Sequence, residues 1–145
     1  MKSRALQVLA VVFFASGLYD VFAGGYYSFL VGADLAVSEP ATHRFYALFI
    51  ASFLFCFAYL QIASAFNIRR YLLNVGVIIV GRTFYTILLI AYVFGSDTFP
   101  TTFLPTAFID MAWSVLYVVL AAISDEVRLR DLFIPCRTAV AHTGI

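Results

Sequence analysis

At 145 residues the chain has room for one domain, yet 63% of it is apolar, 18% aromatic and only 12% charged, with a mean hydropathy of +0.97. Soluble domains are about half apolar and about a quarter charged, so a water-soluble globular domain is excluded and the composition is that of an integral membrane protein. The net charge of +1 offers no footprint for a nucleic acid, and two cysteines, Cys56 and Cys136, supply neither a disulfide framework nor a paired-cysteine zinc site.

A membrane-spanning helix needs about 20 mainly apolar residues. Four stretches satisfy this, over about residues 5–30, 44–66, 71–94 and 101–123. Between them lie breakers: residues 32–42 with Pro40, then 67–70, then 95–100. The expected fold is therefore all-α, a four-transmembrane-helix bundle over residues 1–124, with a C-terminal tail over 125–145. Lys2 and Arg4 ahead of an apolar run also fit a secretory signal, with a small-residue region at Ala15 to Gly17. The run continues apolar to Leu30, so the segment reads as an uncleaved first span.

Cytoplasmic flanks hold the excess of Lys and Arg. Lys2 and Arg4 precede span 1, Arg69 and Arg70 join spans 2 and 3, and Arg128, Arg130 and Arg137 follow span 4, so seven of the nine cations fall on one side. The opposite side has Arg44 with Asp34, Glu39 and Asp97. Both termini are expected to be cytoplasmic.

Ionisable residues inside a span are costly, about 2.5 to 3.5 kcal/mol each near a helix centre, and stand as functional-site hypotheses. This chain has Asp20 in span 1, Arg82 in span 3 and Asp110 in span 4. At about 1.5 Å per residue from the cytoplasmic end of each span they lie at roughly 22, 16 and 20 Å, in one layer. Residues three and four apart share a helix face. Asp20 thus lies with Ser16, Gly17 and Gly24, Arg82 with Asn74, Tyr85 and Thr86, and Asp110 with Thr106, Trp113, Ser114 and Tyr117. Span 2 carries a milder stripe of Ala58, Gln61, Ser64 and Ala65. One reading has Arg82 neutralise the aspartates and lock the bundle. The other has two carboxylates share one guanidinium, leaving a carboxylate to exchange a proton or hold a polar headgroup, with Ser16, Tyr85, Thr86, Trp113, Ser114 and Tyr117 lining the ligand.

Other chemistries find no residues. The two histidines, His43 and His142, sit at the mouth of span 2 and in the tail, which excludes a bis-histidine b-type haem. No Cys, His and carboxylate cluster has metal spacing, no Ser, His and Asp arrangement has all its members at one depth, and no catalytic residue emerges. Gly24, Gly25, Gly76 and Gly81 lie inside apolar spans and read as helix-packing glycines, not phosphate loops. Tyr26, Tyr27, Tyr46, Tyr71 and Tyr92 lie near span ends and fit the interfacial aromatic belt. Trp113 and Tyr117, at depth beside Asp110, could cover a flat ligand. From Ser124 onward, charges alternate with Leu129, Leu132, Phe133 and Ile134 before Pro135, which reads as an extension of span 4 and then a tail that docks on a partner or the membrane surface.

The Gly17-Leu18-Tyr19-Asp20 stretch in span 1, the Gly81-Arg82 pair in span 3 and an aromatic-rich span 4 with one Asp, Asp110, resemble the DoxX-like and BphX-like small bacterial membrane proteins along nearly the whole chain. The resemblance implies a bacterial inner-membrane location and a link to oxidation or quinone metabolism; it gives no catalytic residue to carry over. Three functions are in view. The first is an accessory or assembly subunit of a larger membrane complex. The second is a membrane-embedded site for a quinone, lipid or other amphiphile at Asp20, Arg82 and Asp110. The third is a small transporter working as a dimer, a homo-oligomer because four spans alone rarely enclose an alternating-access path, and the lack of an internal repeat between spans 1–2 and 3–4 disfavours it.

Overall fold

The computed structural model describes residues 4–31, 41–95, 104–124 and 126–134. Lys2, Asp34, Glu39, Pro40, Asp97, Asp125, Pro135, Cys136, Arg137 and His142 lie outside them, as do the side chains of His43 and Arg44. The described residues hold four long helices and no strand: α1 over Arg4–Gly25, α2 over Ala41–Ala65, α3 over Leu72–Gly95 and α4 over Leu104–Ala122. At 22, 25, 24 and 19 residues, and about 1.5 Å per residue, each reaches about the 30 Å of a bilayer's hydrocarbon core. All four are long and apolar enough to cross a membrane.

Successive helices run antiparallel. α2 turns into α3 through a tight reversal in which Asn67, Arg70, Tyr71 and Asn74 each donate a backbone N–H to the carbonyl three residues back, at 3.0–3.2 Å. We call this end of the bundle the turn end. α1 packs most extensively along α2 and α3 along α4, and the two hairpins meet through α1 with α4 and α2 with α3. The α1–α2 approach is close because small residues face it. Ala47, Ala51 and Ala58 are buried on α2, and a Cβ added at Gly17 would lie 2.8 Å from Ile62 Cγ1 and 3.2 Å from the Ala58 carbonyl oxygen. In lipid no hydrophobic drive brings helix to helix, so such close backbone approach is a main source of association.

Two features depart from the sequence reading. Span 1 is α-helical only to Gly25; Tyr26–Val31 forms a π-helical turn, a widening often found near functional sites. At the other end α4 stops at Ala122 instead of extending into the C-terminal segment. Its last turn tightens from Ile123 N–H on the Val119 carbonyl to Ser124 N–H on the Ala121 carbonyl. The chain then folds back through a 3-10 turn over Leu129–Leu132, whose Arg128 N–H is held by the Asp131 carboxylate at 3.3 Å. The reason is apolar. Val127 and Leu132 are buried in one cluster with Leu6, Leu9, Phe13, Ile68, Val75 and Ile78, and Gly76, lacking a side chain, lets the Leu132 carbonyl sit against α3. An ion pair between Arg69 and Glu126 ties the segment to the turn.

Candidate functional site

Above that apolar cluster, side chains from all four helices meet in a polar network. Arg82 on α3 enters the interior because it lies on the helix face that buries Val75, Ile78, Ile79, Thr86 and Leu89, spaced three and four residues apart. Its Nη2 donates to both Asp20 oxygens at 2.7 Å and to Ser16 Oγ at 3.1 Å, while its Nη1 donates to Asp110 Oδ1. The guanidinium therefore bridges α1 and α4. Asp20 takes a further hydrogen bond from Gln61 Nε2 of α2 at 2.5 Å, and Gln61 Oε1 accepts the Tyr117 hydroxyl of α4 at 3.3 Å.

Burial ranks the members. Asp20 is 1% and Arg82 4% exposed, whereas Asp110 keeps 16%. With both acids ionised the cluster carries a formal charge of −1. An unpaired buried charge is expensive, and attraction between partners offsets desolvation only when their remaining donors and acceptors are also met. Asp20 meets that condition through Arg82 and Gln61. Arg82 falls one donor short, since its Nε is buried with no partner among the described residues.

Of the other residues expected to line a ligand, Ser16 is in the network and Tyr117 closes it from below, buried with its ring 5.1 Å edge-on to Phe13. Trp113 lies half-buried and stacked on Tyr117 at 6.3 Å. Ser114 donates to the Asp110 carbonyl of its own helix at 3.0 Å, and Thr86 donates to the Ala107 carbonyl at 3.2 Å, so both hydroxyls are engaged with backbone. Tyr85 stands apart, exposed, its hydroxyl 3.3 Å from Thr106 Oγ1. Lower in the bundle Asn74 donates to Ser64 Oγ at 2.8 Å, so the milder stripe of α2 also pairs with α3.

The residue that sequence reasoning left outside the site is Gln61, which joins α2 to α1 and α4. Its signal was present as a neutral amide on the small-residue face of span 2, without a charge to single it out. Tyr19, next to Asp20 in the chain, also lies within electrostatic range of Asp110, Arg82 and Asp20.

Among the described residues two cavities stand out, and neither is lined by Asp20, Gln61, Arg82 or Asp110. One of about 170 Å3 lies between the start of α1 and the α2–α3 turn. Another, of about 190 Å3, is lined by Ile79 and Thr83 of α3 and by Met111, Ser114, Val115, Val118 and Val119 of α4. Both are smaller than the about 300 to 1,000 Å3 of ordinary small-molecule pockets. Among the described residues no three His, Cys, Asp or Glu side chains converge as a metal site would require. No family model matches the chain, and no curated protein or solved structure matches it either.

Proposed function

We propose that the chain is a multi-pass protein of a bacterial inner membrane, similar to the DoxX-like proteins, acting as a small accessory or assembly subunit of a larger membrane complex. The turn end is the cytoplasmic end, with both termini on that side. Arg4, Arg69, Arg70, Arg128 and Arg130 support this orientation, since all belong to the turn end and positive charge marks the cytoplasmic flank. A membrane-impermeant thiol probe should reach a cysteine introduced at Ser38 in intact cells and native Cys136 only after permeabilisation. Labelling of Cys136 in sealed cells overturns the orientation.

One observation carries the subunit reading: Arg82, Asp20, Asp110, Gln61 and Tyr117 bond chiefly to one another across four helices, so the interior polar chemistry holds the bundle together. What remains on offer is the outer surface. There Phe45, Phe49 and Phe53 form an exposed row on α2, with ring centroids 6.4 and 4.9 Å apart, a ridge suited to the groove of a partner's transmembrane helix. Native mass spectrometry of the protein extracted in mild detergent should find it with another membrane subunit at fixed stoichiometry. Alanine at Phe49 and Phe53 should release that subunit without unfolding the bundle. Recovery only as a lone chain overturns the reading.

A second reading, a site for a quinone, lipid or other amphiphile, is favoured by the residual exposure of Asp110 and the unpartnered Arg82 Nε. Under it, Asp110→Asn folds normally and loses a ligand that copurifies with the wild type.

A further inference from the structure

The cavity at the turn end has two kinds of wall. Leu6, Ala10, Ala65, Phe66 and Ile68 are apolar, while Gln7 and Asn67 are polar residues and Arg69 a cationic one. We propose that this recess seats the phosphate of an anionic phospholipid, with one acyl chain lying along α1. The inference rests on the membrane reading and names a specific ligand within it.

Charge selects the headgroup. The turn end gathers five arginines against two acids, Glu126 and Asp131, among the described residues. Arg69 is paired with Glu126 through Nη2, yet its side chain remains 50% exposed, and a guanidinium has five donors in a fork that suits phosphate. Arg69 is one of the residues that line the recess, and, half-exposed, it has donors beyond the Nη2 that Glu126 takes. Basic pockets between transmembrane helices on the cytoplasmic side are recurrent sites for anionic headgroups.

Shape selects a lipid over a free anion. Above the recess, Val11, Phe14, Leu18 and Phe22 continue along the same exposed face of α1, spaced three and four residues apart as one helix face requires. Phe66 stands at their foot, its ring 6.1 Å edge-on to Phe14. From Gln7 to Phe22 this track runs about 22 Å, more than the roughly 15 Å depth of one leaflet of a 30 Å hydrocarbon core. A headgroup in the recess thus has its chain already on an apolar path. The α3–α4 cavity has no charged residue in its lining and offers no such selection.

The test uses the full-length protein in nanodiscs made from equal amounts of phosphatidylglycerol and phosphatidylcholine with identical chains, with retained lipids read by native mass spectrometry after release. Retention of phosphatidylglycerol about fivefold over phosphatidylcholine is expected, the preference that one arginine gives near an anionic surface. Arg69→Gln should abolish it. Because that substitution also removes the Glu126 pair, Asn67→Leu is the second variant, which leaves the pair intact and should reduce the preference. Arg130→Gln, outside the recess, should not. Equal retention of the two lipids by the wild type, or an unchanged preference in both Arg69→Gln and Asn67→Leu, overturns the proposal. Displacement of the lipid by millimolar inorganic phosphate also overturns it, by making the site one for a free anion. A protein that holds lipid without preference fails this proposal alone, whereas one that stays in the aqueous fraction without detergent fails the membrane reading beneath it.

Discussion

Replacing Arg82 with leucine removes the one cation of the interior network and leaves two carboxylates behind. Asp20 would keep only Gln61 as a donor, and Asp110 would lose its sole side-chain partner among the described residues. Breaking a buried pair from one side costs about 3 to 5 kcal/mol, because the remaining charge stays buried, and here it is broken toward two partners at once. For a chain of this size each kcal/mol corresponds to roughly 4 °C in Tm, so Arg82→Leu should lower the Tm by at least about 12 °C. Asp110→Asn leaves a balanced Arg82–Asp20 pair and keeps an amide oxygen that can accept from Arg82, so the loss is on the scale of one interhelical hydrogen bond in a membrane, about 1 kcal/mol. Asp20→Asn falls between, since one amide oxygen cannot serve Arg82 and Gln61 as a carboxylate does, at about 2 kcal/mol. Trp113, the only tryptophan and stacked on Tyr117 beside the network, reports unfolding in detergent by its fluorescence. Removing all three charges together should recover much of the loss, because a neutral interior has no stranded charge. A Tm for Arg82→Leu within a few degrees of Asp110→Asn would refute this account of the network.

The other expectations concern the rest of the packing. Gln61→Leu removes a donor to Asp20 and the acceptor of the Tyr117 hydroxyl, which at about 1 to 3 kcal/mol for a stranded buried polar group should lower the Tm by several degrees in the same assay. Gly76→Ala places a methyl group against the Leu132 carbonyl, so the 126–134 segment should lift off, and limited trypsin should cut after Arg128 and Arg130 faster than in wild type; unchanged cleavage rates count against the docking. Deleting everything after Ser124 uncovers Leu6, Leu9, Ile68 and Val75 and should give aggregation on size exclusion, whereas a stable monodisperse product would place the segment outside the fold.

The four helices are legible because hydrocarbon length is a blunt requirement: about 20 apolar residues between polar breaks admit few alternatives. The meeting of Asp20, Arg82 and Asp110 is legible because three charges inside apolar helices have few places to go except to one another. Gln61 was not, and the reason is axial offset. Counted from the turn end of α2, Gln61 lies only about 8 Å along its helix, whereas Asp20 lies about 22 Å from the start of α1, so equal starting levels put them far apart. The structure sets the levels differently: Phe66, the residue after α2, meets Phe14, ten residues into α1. Measured from that contact, Asp20 is about 9 Å up α1 and Gln61 about 8 Å up α2, and the hydrogen bond follows. Periodicity fixes which residues share a face and is silent on how far one helix slides along its neighbour.

The same offset accounts for the C-terminal segment. Because α1 runs past the level of Phe66 at the end of α2, Leu6 and Leu9 lie at the turn end, in one cluster with Ile68, Val75 and Ile78. Read alone, residues after Ser124 mix charges with leucines and look like a segment waiting for a partner. The partner is the bundle's own turn end: Val127 and Leu132 bury with Leu6 and Leu9, Glu126 reaches the turn through Arg69, and Gly76 leaves the space that Leu132 needs. A recess remains beside the start of α1, lined by Gln7 and Arg69 among others. End cover and recess thus share one geometric origin, the length of α1 that runs past the end of α2 alongside the turn.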